Sequence, residues 1–291
     1  MKKTYLLLLA SLITVCALAQ EQTQEPVKTG KNFFVGISYF YTSLDMKLQD
    51  MSIHTMWAGL DMGKYDLSES EIDEINSFTE RTATTNSICA EAGMPLLNKA
   101  GSPWRIDGTL SIGVAQIQKT TYNQNSGIEE YKHTSGFSNP FLGLGFNIAY
   151  QIDPKWGLEL RPVFSATMGK DSEVTDNINL VPENFTQTFE DNYHTFYERV
   201  SLLGSFSTGN FRLFAGPGFY WINSKHQYNI EQTNINNGDL IQDEIISNGI
   251  SRSFIDGNVA LEWKITAPLS FYAHVAMGGD IFINSGIHYN F

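Results

Sequence analysis

Seven charged residues, Arg105, Asp107, Glu159, Arg161, Arg212, Glu262 and Lys264, stand at alternate positions within otherwise oily stretches. Brought to one level of a partly dry interior, their mixed signs predict cross-pairing, because an unpaired buried charge is costly. The same residues ringing an open passage would instead select small solutes. Asp191 and His194 form the nearest approach to a pair that activates water by general base chemistry. Their odd separation points them to opposite faces of a strand. His274 and His288 fall on polar faces, where a hydrogen-bonded structural role is expected rather than service to a nucleophile. Residues 45–82 carry Asp61, Asp66, Glu69, Glu71, Asp73, Glu74 and Glu80. Clustered carboxylates suit divalent cations, but the D-x-[DN]-x-[DN]-G spacing is missing and a solvated acidic loop is expected. With no Gly-rich phosphate loop after a strand and no metal-ligand spacing, we expect no catalytic residues, no metal and no cofactor.

The elements that must position these residues are strands. Phe33, Val35, Ile37, Tyr39 and Tyr41 share one face, while Phe34, Gly36, Ser38, Phe40 and Thr42 share the other. Leu142, Leu144, Phe146 and Ile148 likewise oppose Gly143, Gly145, Asn147 and Ala149. Val200, Leu202 and Phe206 oppose Arg199, Ser201 and Ser205. Period two is kept for about ten residues at a time, the length a tilted strand needs to cross a membrane. Strands are predicted at 32–44, 83–96, 104–118, 137–151, 156–168, 192–206, 211–223, 250–265, 269–279 and 281–291. "SEIDEINSF" spaces Ile72, Ile75 and Phe78 for a short helix.

The N-terminus reads as an export signal: Lys2 and Lys3, an apolar run from Tyr5, then Ala17-Leu18-Ala19. Cleavage before Gln20 leaves Cys89 as the mature chain's one cysteine, expected to be a small side chain buried or facing membrane. With 19 Lys+Arg against 31 Asp+Glu, the chain lacks the basic face that nucleic acid requires. No later apolar run is long enough for a transmembrane helix.

The count of about ten strands, with eight to twelve compatible, is even, and short turns alternate with long polar connections except at the last hairpin, near Gly278-Gly279-Asp280. Trp104, Trp156 and Trp263 border short turns on the apolar face. Trp221, with Tyr39 and Tyr41, marks the opposite end, so two aromatic girdles are expected. The chain therefore resembles the Gram-negative outer-membrane β-barrel proteins, of the small porin-family type. Its export signal, alternating segments and terminal aromatic carry the resemblance. It implies an all-β, closed, antiparallel, up-and-down transmembrane barrel: 1–19 a signal peptide, 20–31 a periplasmic segment, 32–291 the barrel with long extracellular loops. It also implies that Ile287, Tyr289 and Phe291, in the last strand, are read by the barrel-assembly machinery.

The expected location is the outer membrane. The expected partners are its lipid, that machinery during biogenesis and an unknown extracellular partner. The expected role is structural or surface-interacting, with the charge cluster plugging the lumen. A narrow pore for small solutes is the alternative. A third reading is a rim hydrolase, since the size is similar to that of the omptin surface proteases, for which Asp191 and His194 are the nearest candidates.

Overall fold

The computed structural model describes residues 33–99, 101–123, 129–176, 185–234, 239–278 and 280–291. The predicted signal peptide and the segment 20–31 lie outside them. The strands are β1 (Phe34–Met46), β2 (Leu48–Trp57), β3 (Leu60–Asp66), β4 (Thr79–Asn98), β5 (Trp104–Asn123), β6 (Glu129–Thr134) and β7 (Asn139–Gln151). They continue as β8 (Trp156–Asp176), β9 (Phe185–Thr208), β10 (Phe211–Asn234), β11 (Leu240–Lys264), β12 (Leu269–Met277) and β13 (Ile281–Asn290), with one helix, α1 (Glu69–Phe78), between β3 and β4.

Ten strands form a ring in the order β1, β4, β5, β7, β8, β9, β10, β11, β12, β13, each antiparallel to the next. The ring closes where β1 pairs with β13, from Phe34↔Asn290 to Ser43↔Ile281. Along β1, Val35 and Ile37 point outward and are exposed, while Phe34, Ser38, Phe40 and Thr42 are buried inside. Ile112, Leu142, Leu158, Leu202, Phe219 and Ile255 continue the exposed apolar surface around the ring. A surface of this extent has hydrocarbon, not water, as its neighbour. At the short-turn rim, cross-strand aromatic pairs form a belt: Trp104 on Tyr150 (4.8 Å), Trp156 on Phe206 (4.7 Å) and Phe211 on Trp263 (5.8 Å). Trp221 is exposed toward the other end of β10, ten residues beyond Phe211.

Above that level the structure departs from the expected long loops. β9 and β10 have 24 residues each and β11 has 25. At about 3.3 Å per residue a strand of that length runs about 80 Å, well beyond a membrane crossing. Beyond the hydrocarbon the outer face of a strand meets water too. The apolar alternation therefore fades while ladder hydrogen bonding continues, and Gln, Asn, Thr and Tyr carry the strands upward. β4 also runs past Pro95, by way of a bulge between Pro95 and Leu97.

The segment 45–82, expected as a solvated loop, is mostly folded. β12 leaves β11 at Gly257↔Met277, and higher up β2 takes over as partner, pairing Leu48–Trp57 with Gln242–Ile250. The chain turns back into β3 through Ala58 and Gly59 at φ 48° and 79°. Two successive positive φ values are those of the two-residue turn that matches strand twist. Arg252 of β11 reaches Asp45 (3.1 Å) and Asp280 (3.5 Å), and Asp280 accepts the Asp45 amide (2.9 Å). These contacts tie the departing end of β1 over the β12–β13 turn. α1 packs on β2 and β4. It buries Ile72, and Asn76 holds both the amide (3.1 Å) and the carbonyl (2.9 Å) of Leu48.

At the start of α1 the Glu71 carboxylate accepts the Ser68 amide (2.8 Å), the Ser68 hydroxyl (2.6 Å) and the Tyr65 hydroxyl (2.5 Å). The Ser68 hydroxyl, then the Tyr65 hydroxyl and the Ser68 amide, hold its pKa down to about 2. The folded value lies below the unfolded one. The cap's contribution is therefore complete above the ordinary carboxylate range and is lost as pH falls through about 2. A carboxyl-carbon NMR titration should place Glu71 near 2, and Tyr65→Phe should raise it. A midpoint in the ordinary range would mean the cap does not form. For the outer face, Leu202→Arg should cost about 2–4 kcal/mol in lipid and Asn192→Arg, above the belt, about 0–1 kcal/mol. Equal costs in urea unfolding from vesicles would place the membrane elsewhere.

Candidate functional site in the barrel lumen

The inward faces meet in three layers. At the short-turn end, Glu159 is fully buried between two guanidiniums. Arg161 donates through Nε to its Oε2 (2.8 Å), and Arg212 meets Oε1 at 2.6 Å as an ion pair rather than an aligned hydrogen bond. Glu262 stands 3.7 Å from Arg161. The Phe214 ring supports both cations, at 4.1 Å from Arg161 and 5.0 Å from Arg212. Alongside, Arg105 donates to Asp107 (2.7 Å). Arg105, Asp107, Glu159, Arg161, Arg212 and Glu262 are thus paired at one end of the bore. Lys264 is the exception. Its residue is exposed at the rim and enters no ion pair among the described residues, because β11 ends there and the side chain has water within reach.

The middle layer was not anticipated as a site. Arg199 pairs with Asp256 (2.6 Å) and donates to Asn258 (2.9 Å), which also meets Ser201 (3.2 Å) and His274 (2.9 Å). Glu91 accepts Ser111 (3.0 Å) and Tyr272 (3.0 Å) and contacts His288 Nε2 (2.9 Å), whose ring stacks on Phe34 at 4.1 Å. His274 and His288 are therefore hydrogen-bonded inside the lumen. Between these polar groups lies an aromatic layer: Phe40 packs on Phe141 (5.2 Å) and Phe282 (6.3 Å), and Tyr220 on Phe254 (5.0 Å). Cys89 is buried with Phe40, Ala115 and Phe141.

The upper layer lies above the membrane. Lys119 of β5 crosses the bore to Asp191 of β9, which also sits 3.4 Å from His226 Nδ1. His226 Nε2 meets Ser224 (2.9 Å), and Ser224 meets Thr195 (2.7 Å). Burial works to raise the Asp191 pKa, but His226 and Lys119 outweigh it and hold the carboxylate below its ordinary value. Burial, only partly offset by Asp191, keeps His226 below the usual histidine range. Asp191 points inward and His194 outward, so the candidate hydrolytic pair is not assembled.

The signal that was missed is parity. Glu91, Lys119, Asp191, Arg199 and Asp256 all occupy positions whose neighbours one residue away face outward. A charge at inward parity anywhere along these strands is a candidate lumen group, not only one beside a short turn.

A closed antiparallel ring with apolar side chains outward, polar groups within and an aromatic belt at its short-turn rim is a transmembrane β-barrel. Barrels of this construction reside in the cell outer membrane, and no helix among the described residues is long and apolar enough to cross one. No family model and no curated protein matches the sequence. Among solved structures, the chain is similar to the outer-membrane protease OmpT of Escherichia coli, with 10% identity, TM-score 0.39 and 94% of this chain and 100% of that one covered. It is similar to the translocator domain of the autotransporter NalP of Neisseria meningitidis, with 9% identity, TM-score 0.39 and coverage of 100% and 98%. It is also similar to the outer-membrane protein OprG of Pseudomonas aeruginosa, with 6% identity, TM-score 0.34 and coverage of 90% and 97%.

Removing the anion that bridges two guanidiniums should be far costlier than removing an exposed cation. Glu159→Gln is expected to destabilise the barrel by about 3–5 kcal/mol, and Lys264→Gln by no more than about 0.5 kcal/mol. Urea unfolding of the refolded protein measures both. Comparable small effects would mean that the Arg161–Glu159–Arg212 bridge does not hold the bore together.

Proposed function

We propose that this protein is a non-enzymatic outer-membrane scaffold whose bore is closed by its own side chains and whose extracellular wall binds a partner. The observation that carries the reading is the stacking of three closures in one lumen. The Glu159 bridge lies at the short-turn end, the Phe40–Phe141–Phe282 layer at mid-depth and the Lys119–Asp191 pair above. Three cavities along the bore are small, about 160, 30 and 80 Å³, while one of about 510 Å³ opens among residues of β2, β3, β9, β10 and β11. Mixed signs paired across a bore make a brace, whereas a conducting ring favours one sign.

The tall wall of β8 to β11, with β2 and β3 against it, offers rigid surface outside the membrane to an extracellular partner. No hydrolytic role is assigned, since Asp191 and His194 face apart. Ile287, Tyr289 and Phe291 point outward, which suits recognition of the terminal strand by the assembly machinery before lipid covers it.

Planar-bilayer recording of the pure refolded protein tests this reading. The wild type should give no discrete current steps. A variant carrying Phe40→Ala, Phe141→Ala and Phe282→Ala together with Glu159→Gln should give them. Reproducible steps from the wild type would replace the closed scaffold with a narrow pore for small solutes.

A further inference from the structure

The upper cavity lies between the extracellular mouth and the aromatic layer, and Arg81 sets it apart from the rest of the lumen. Arg81 stands on β4 opposite Met46 of β1 and Thr121 of β5. Among the described residues it forms no ion pair. Its polar contact is Asn76 Oδ1 at 3.4 Å, an oxygen that already accepts the Leu48 amide at 3.1 Å. Burial presses the guanidinium below its ordinary range. Every other lumen guanidinium described above has a carboxylate: Arg105 with Asp107, Arg161 and Arg212 with Glu159, Arg199 with Asp256, Arg252 with Asp45 and Asp280.

The walls of the same cavity mix apolar and aromatic side chains with neutral polar ones, among them Thr85, Thr120, Thr195 and Asn248. Leu44, Met46, Ile117 and Ile250 supply aliphatic surface, and Tyr193 and Tyr197 supply rings. No Asp or Glu lines it. The second cation on the wall, Lys119, is neutralised by Asp191 and lies over the Tyr193 ring at 4.2 Å. The cavity thus carries one uncompensated positive charge inside a chain of net charge −12.

A partly buried guanidinium without an anion is costly, and its planar fork matches a carboxylate in bidentate fashion. An apolar concavity with one convergent charged group is the usual construction of a small-ligand site. We propose that the upper cavity binds a small monocarboxylate with a compact apolar or single-ring body. Its carboxylate pairs with Arg81, and its body lies against Met46, Ile117 and Tyr197. The volume of about 80 Å³ suits a short or single-ring acid better than a full acyl chain. This site goes beyond the closed-scaffold reading and does not depend on it, because a ligand can enter from outside without crossing the bore.

The test uses refolded full-length barrel and benzoate as the probe, followed by isothermal titration calorimetry. Saturable binding of benzoate is expected, with benzyl alcohol and inorganic phosphate each at least tenfold weaker. Arg81→Gln should weaken benzoate at least tenfold, and Arg81→Lys should recover part of the loss. Both variants are first checked for the heat-modifiable gel mobility of the folded barrel. Should Arg81→Gln fail to fold, NMR of the wild type decides, because benzoate should shift the Arg81 Nε–Hε resonance. Absence of saturable binding, phosphate binding as tight as benzoate, an unaffected Arg81→Gln variant or an unmoved Arg81 resonance would each overturn the site.

Discussion

Hydrocarbon offers no partner for a backbone N–H or C=O, so every strand that crosses it must be hydrogen-bonded on both edges. In this chain that requirement comes down to one seam, the pairing of β1 with β13 from Phe34↔Asn290 to Ser43↔Ile281. Without it the other nine pairings would make an open sheet with two unsatisfied edges. The amide of Phe291 carries the seam one bond further, to the Phe33 carbonyl at 2.9 Å. Because the seam joins the first and last strands of the ring, assembly cannot be completed until nearly the whole chain is present. Once the ring is closed, the alternating side chains have only two places to go, and the lumen inherits everything that lipid rejects.

That inheritance explains the charge pattern. Ten inward faces bring acids and bases within ion-pair reach, some along one strand, as Arg105 with Asp107 on β5, and others between strands. Glu159 of β8 is answered by Arg212 of β10, Arg199 of β9 by Asp256 of β11, and Lys119 of β5 by Asp191 of β9. None of these pairs joins directly hydrogen-bonded neighbours, so each braces the ring across its section. Phe40, Phe141 and Phe282 fill the space between, and dispersion contacts there supply what charge pairing cannot.

The ten strands of the ring, the short turns, the outward face and the rim tryptophans were legible in the sequence, whereas β2, β3 and β6 were not. Membrane strands alternate strictly, since one side must be oily and the other need not be. Phe33 to Thr42 and Trp156 to Thr167 are readable on that ground alone. Two further things were not legible. The uppermost parts of β8, β9 and β10 lose their alternation, so residues such as Gln187 and Thr188 read as loop while pairing as strand. The aromatic filling was hidden as well, since Phe40 and Phe282 look like lipid-facing residues out of register until the ring shows them meeting from different strands. The Lys264 side chain was misplaced for a simpler reason: its parity is inward, but it stands at the last residue of β11, where inside and outside merge.

The asymmetry of the wall follows from the same closure rule. β12 and β13 have only 9 and 10 residues and stop at the membrane surface, while their neighbour β11 runs on. The exposed edge of β11 above Gly257 would be an open template for another chain. β2 covers it, pairing as far as Gln242↔Trp57, and β3 continues the sheet beyond. α1, clamped to Leu48 through Asn76, then returns the chain to β4. The segment that composition marks as an acidic loop is thus the patch that completes the extracellular wall. Its acids are consistent with that position. Glu71 caps the helix, Asp61 meets His54 at 2.8 Å and Asp66 meets Lys64 at 2.8 Å, each satisfied within the patch itself. A patch held by its own contacts can present a charged outer surface to a partner without drawing on the charges that brace the bore.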